Sequence, residues 1–199
     1  MSSEPVQPIS AQPARMSPSM QPSPALTADN ILLLKQAVHV LNGLDDERYV
    51  RPMAQAYDAG VGTHFRHCLN FYQSFESGFS VGRVDYDHRI RDLRMEQDRT
   101  YALMQYTGMI ATLTRFASHD PNTSILVRQD TSLPSNDPAA WGQSSFRREL
   151  QSLVSHTIHH FALIAIMLRW QNYEPPKEFG VAPSTIQHWR NRDAAQSAG

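Results

Sequence analysis

Two imidazoles four residues apart on a helix stand on one face, one turn above the other, and can share a metal ion. His156 and His160 have that spacing, with His159 beside them. A third ligand must come from another helix, and His67, with His64 three residues before it, is the best placed. Three neutral imidazoles around one divalent ion leave a fourth position for water or substrate, the pattern of catalytic rather than structural sites. Such an ion lowers the pKa of bound water and polarises a substrate oxygen or a thiol sulfur. His159 and His64 then serve as outer hydrogen-bond partners of the ligands or as general bases. The competing reading makes these histidines hydrogen-bonded core residues or surface groups, because an isolated HxxxH pair is a weak signal. No HExxH motif supplies the glutamate of a zincin protease, and no CxxCH motif attaches a haem.

A second group of reactive types lies in SVGRVDYDHRIRD, residues 80–92. Asp85, Asp87 and Arg91 are the residues there that can handle protons and charge at the edge of an active site. A solvated loop held by local ion pairs is the plainer account of the same segment. Cys68 is the only cysteine, which excludes an intramolecular disulfide and any Cys₂ or Cys₄ zinc site. It neighbours His67, but adjacent helix residues point about 100° apart, so a buried, inert thiol is expected.

The elements that must position these groups are helical. SSFRRELQSLVSHTIHHFALIAIMLRWQ, residues 144–171, contains neither proline nor glycine. Ser144 and Ser145 can cap its start, and Asn172 with Pro175 and Pro176 ends it. It is apolar nearly all round after Thr157, so it is expected to be buried. A first helix over 28–42 is capped by Thr27 and closed by Gly43. A second runs over 62–78 and stops at Gly78, and a third runs over 93–118 with apolar residues at the 3.6 period. Residues 44–60 and 119–143 connect them. SILVRQ, 124–129, is the one credible extended segment. The expected class is all-α: a four-helix bundle with long connections, of the kind that holds metal sites between facing helices.

Residues 1–26 are rich in Pro, Ser and Gln, with too little apolar surface to offset ordering entropy, and are expected to be a disordered tail. The folded unit is expected over 27–190 and a flexible end over 191–199. In the tail region Phe179, Val181, Ile186 and Trp189 can fold back on the bundle. The net charge of −1 carries no basic surplus, which argues against nucleic acid or an anionic membrane as partner. No signal-peptide pattern opens the sequence, and its longest apolar run, 161–168, is too short to span a bilayer. With one cysteine, a cytoplasmic location is expected.

SHTIHHFALI, 155–164, resembles the terminal-helix signature of the DinB/YfiT-like superfamily of four-helix metalloenzymes, where a histidine and two variable residues precede a His-His pair. VGTHFRHCLNFY, 61–72, is similar to the superfamily's second-helix motif. The resemblance covers about 28–172 in helix order and length. Carried over by position, it implies the ligand set His67, His156 and His160, with His64 one turn too early. Where members commonly carry Arg and Gln after the His-His pair, this chain has Phe161 and Ala162. The resemblance implies a divalent ion, zinc or nickel, at one end of the bundle. It further implies a thiol-dependent transferase acting on a small molecule with a low-molecular-weight thiol, a homodimer, and no DNA contact. A metal-dependent hydrolase and a non-catalytic metal-binding or dimerisation bundle are the alternatives.

Overall fold

The computed structural model describes residues 24–54 and 58–197. The proline-rich segment up to residue 23 and Tyr57 of the first connector lie outside the described residues. The chain is mostly helical. Its elements in order are α1 Pro24–Gly43, α2 Asp46–Val50, α3 Val61–Phe79, β1 Arg83–Asp85, α4 Arg94–Gln97, α5 Arg99–Phe116, β2 Ser124–Arg128, β3 Gly142–Ser145, α6 Phe146–Trp170 and α7 Pro183–Ser197, with a 3₁₀ turn at Pro138–Ala140 before β3.

The four long helices α1, α3, α5 and α6 pack on one another: α1 against α5 and α6, and α3 against the same two. Each buries a stripe of its surface. On α3 the stripe is Phe65, Leu69, Tyr72 and Phe75, spaced three and four apart as one helix face requires; on α6 it is Leu153, Phe161, Ile164 and Leu168. By length and composition alone α6 could cross a bilayer. Its stripe is instead buried against the other helices.

The rotation of these helices about their axes is fixed by polar contacts inside the core. The Tyr72 hydroxyl donates to Asn30 Oδ1 at 2.9 Å and accepts from Thr157 Oγ1 at 3.0 Å. Asn30 in turn donates from Nδ2 to the Leu150 carbonyl of α6 at 3.1 Å. One hydroxyl thus ties α1, α3 and α6 together, and all three polar residues are buried.

Four boundaries differ from the sequence expectation. α1 begins at Pro24, so Thr27 is a buried residue inside the helix and not its cap. The third helix is broken: the Asp98 side chain accepts from the Tyr101 N–H and starts α5 afresh after the short α4. Ser144 belongs to β3, and Ser145 caps α6 through the Arg148 N–H. Residues 191–197, expected as a flexible end, continue α7, where Gln187 and Asn191 bond one turn apart.

The class is also not purely α. The extended segment 124–129 is the central strand of a small sheet of order β1-β2-β3, β1 parallel and β3 antiparallel to β2. β1 lies hard against the end of α3, because a side chain at Gly78 would meet the Arg83 carbonyl oxygen at 2.5 Å. Gly78 therefore serves as the seat for a strand, and the helix runs one residue past it to Phe79. The ladder continues beyond β1, since the Tyr86 N–H donates to the Arg128 carbonyl at 2.9 Å.

Tyr72→Phe keeps the ring packing but leaves Asn30 Oδ1 and the Thr157 hydroxyl without their partner. Denaturant unfolding should show a loss of about 1–3 kcal/mol; an unchanged midpoint would mean that the three-helix tie contributes nothing.

Candidate metal centre

α3 carries His64, His67 and Phe71 along a line beside its buried stripe, and α6 carries His156 and His160 along the matching line. Because Tyr72 and Thr157 fix the two helices in register, these lines face each other. The imidazole centroids of His67 and His160 are 4.4 Å apart, those of His156 and His160 4.6 Å, and those of His67 and His156 5.0 Å. One ring nitrogen from each of the three lies within 4.8 Å of the other two. Nitrogens on a tetrahedral zinc ion are about 3.3 Å apart. Small side-chain rotations would close the difference.

The donor set fits a divalent ion on independent grounds. His156 Nε2 is buried and has no hydrogen-bond partner. An orphaned buried polar atom costs about 1–3 kcal/mol, and coordination would remove that cost. His160 Nδ1 faces His64 Nδ1 at 3.3 Å, which leaves Nε2 of His160 as the nitrogen that could take an ion. The three rings are half-buried, so the cluster is reachable from one side.

Burial also sets the charge state. It pushes the pKa of His67 down to about 3, with the charges of His156 and Arg89 adding to the effect. His160 is pushed down to about 3 and His156 to about 4, again chiefly by burial. His64 is lowered by the same cause. All four imidazoles are therefore neutral at pH 7, the state a metal ligand needs.

The remaining expected site residues fall into different places. His159 is exposed at the rim, its ring edge-on to His160 with centroids 5.1 Å apart. Asp85 and Asp87 are held by ion pairs and hydrogen bonds. Asp85 receives Arg128 Nη1 on both oxygens at 3.2 and 3.1 Å and also accepts from the N–H groups of Asp87 and His88. Asp87 accepts from the Asp130 N–H at 2.8 Å and pairs with Arg128 at 3.8 Å. Asp85 thus joins β1 to β2, and Asp87 joins the segment after β1 to Arg128 and the segment after β2. Arg91 is exposed. Cys68 is fully buried, and burial pushes its thiol far up, so it is no nucleophile.

Three residues beside the histidines escaped the sequence reading. The Phe71 ring lies 3.8 Å from that of His156, and Tyr86 stacks on Phe71 at 5.1 Å. The Arg89 guanidinium lies 4.4 Å from the centroid of the same Phe71 ring. Phe71 was findable, being one helical turn after His67. Tyr86 and Arg89 were not, because a parallel strand pair brings them in.

No family model matches this chain. It is similar to FK506-binding protein 5 of Rhizopus delemar, 31% identical over 106 residues, which is 53% of this chain and 27% of that protein. The chain thus spans about a quarter of the length of that curated relative.

The depressed pKa values fix a sign. The unfolded histidines take up protons near pH 6.5, whereas the folded ones resist until far lower pH, so the fold loses stability as pH falls from about 6.5 towards 3. Melting in the presence of a chelator should show a midpoint that drops between pH 7 and 4. The drop should be shallower in His67→Ala/His156→Ala/His160→Ala; equal slopes would refute the burial of neutral imidazoles.

Proposed function

We propose that this chain is a divalent-metal-dependent enzyme of the DinB/YfiT-like kind, with His67, His156 and His160 as ligands, zinc or nickel as the ion, and a thiol-dependent transfer as the reaction. The observation that carries the reading is the meeting of three neutral imidazoles from two helices around the unpartnered Nε2 of His156. The pairwise packing of four long helices supports the four-helix-bundle architecture that the resemblance implies. A homodimer and a small-molecule substrate belong to the same proposal.

When bound, the ion supplies Lewis acidity and stabilises an anion formed from a thiol or water near neutral pH. The chain's own groups do the rest. His64 holds the Nδ1 side of His160 and so fixes that ring's orientation. Phe71 walls one side of His156 and keeps water from it. His159, at the exposed rim, is placed to take a proton on a ring nitrogen from an incoming thiol and to return it to the product.

One observation favours a second reading. His64 lies close enough to His160 to serve as a fourth ligand, which would close the coordination sphere and make the centre a non-catalytic metal-binding bundle. A metal-dependent hydrolase uses the same open position as the transferase and differs only in using water.

Metal content per chain, by inductively coupled plasma mass spectrometry on untagged protein purified without added metal, tests the proposal. Near-stoichiometric zinc or nickel is expected in the wild type, falling at least ten-fold in His67→Ala, His156→Ala and His160→Ala. His64→Ala is expected to keep its metal. Loss of metal in His64→Ala would favour the closed site. A wild type that holds no metal, and takes up neither zinc nor nickel when offered, would end the metalloenzyme reading.

A further inference from the structure

The segment after β1 alternates its side chains about α3. His88, Ile90 and Asp92 line a cavity of about 530 Å³ over Asn70 and Gln73. Arg89 instead lies over Phe71, whose ring also contacts those of His156 and His67. The Arg89 Nη1 donates to the Tyr86 carbonyl, which fixes the guanidinium in place. The arginine is half-buried, and its charge is felt at both His67 and His156, whose basicity it lowers.

The charges around it are spoken for. Arg66, the other cation felt at His67, is paired with Glu96 at 2.5 Å and bonded to Asn70 at 3.0 Å. Asp87 is held by Arg128 and by backbone N–H groups, and Asp130 acts on Arg89 only through space. Arg91 is exposed, where water screens it. Among the described residues no carboxylate comes within ion-pair distance of Arg89. It is a partly desolvated guanidinium without an ion pair, Asp87 and Asp130 acting on it only through space, and it lies on the Phe71 ring that His156 and His67 also touch. A bound anion would complete its partnering.

We propose that Arg89 is the substrate anchor of this centre, and that the substrate is a small molecule bearing a carboxylate, which the free N–H groups of the guanidinium hold beside His67 and His156. The inference deepens, and rests on, the reading of the triad as a reaction centre. A planar guanidinium with one donor already committed matches the two oxygens of a carboxylate. A phosphate dianion fits less well, because Asp87 and Asp130 oppose a second negative charge and no second buried, unpaired cation stands beside Arg89. The anchored carboxylate sets the distance between the rest of the substrate and the ligand nitrogens, so Arg89 selects which bond is presented.

The test follows histidine ring resonances by nuclear magnetic resonance at fixed pH. Acetate, acetamide and inorganic phosphate are each titrated into the chelated chain and the zinc-treated chain, with zinc content measured on the same samples. Acetate should shift the His67 and His156 resonances saturably in both, acetamide should not, and phosphate should bind more weakly than acetate. Arg89→Gln should weaken acetate about ten-fold or more, with Arg89→Lys between it and wild type. Acetate binding that is absent, unchanged in Arg89→Gln, or weaker than phosphate binding would overturn the anchor. The chelated arm needs no metal, so a chain that binds acetate through Arg89 but takes up no zinc upholds the anchor while removing the metal reading. Zinc uptake with acetate indifferent to Arg89→Gln does the reverse.

Discussion

The contact between α3 and α6 is the constraint on which the rest of this structure depends. Neither helix has chemistry alone. His64 and His67 on one, and His156 and His160 on the other, become a cluster only because Tyr72 and Thr157 meet in the core and hold the two helices at one rotation. A helix turned by a single residue would move its side chains by about 100° and separate the rings. The apolar stripes cannot supply that accuracy unaided, since hydrophobic burial has no direction. The buried hydroxyl does, because a misplaced partner leaves a polar atom unsatisfied.

The price of this arrangement is visible in the charge states. Four imidazoles are gathered where burial holds them neutral, and one buried nitrogen is left without a partner. Asn30, Thr157 and Arg66 are buried with hydrogen-bond partners, whereas His156 Nε2, like Gln36 Oε1, Arg128 Nε and Gln171 Oε1, has none. What sets His156 apart is that its unpaired nitrogen lies within a cluster of three imidazoles. Packing accounts well for Phe65, which touches Tyr49, Tyr106, Phe161 and Phe179 within one aromatic cluster, and for Phe146 among Phe75, Phe79 and Phe116. His156 packs on Phe71 and still leaves Nε2 unpaired.

What could be read in the residues follows from the range of the forces involved. Helices α1, α3, α5 and α6 announce themselves by local periodicity, and the ligand spacing of His156 and His160 is local too. The pairing of these two with His67 is not local, but two histidine-bearing helices in one small helical chain leave few other arrangements. The sheet was nearly invisible. β1 and β3 are three and four residues long, and β1 pairs parallel with β2 across some forty residues of sequence. The sequence offers ion pairs for Asp85 and Asp87 within their own segment, whereas their partner is a distant arginine, Arg128. The break at Asp98 was hidden for a different reason: a single capping aspartate interrupts a helix without disturbing its apolar pattern.

The small sheet then acquires a purpose that its size does not suggest. β1 is pinned to the end of α3 at Gly78 and to β2 through the Arg128 pairs, so the residues after it leave in a fixed direction. Tyr86 extends the ladder by one bond and lies on Phe71; three residues later Arg89 covers the same ring. A loop free of the sheet would lose side-chain and backbone entropy each time it brought an arginine to the histidines. Here that ordering is accomplished by folding, through contacts made far from the cluster. The helices thus bring the imidazoles, and the sheet the arginine, to one shared side chain, Phe71.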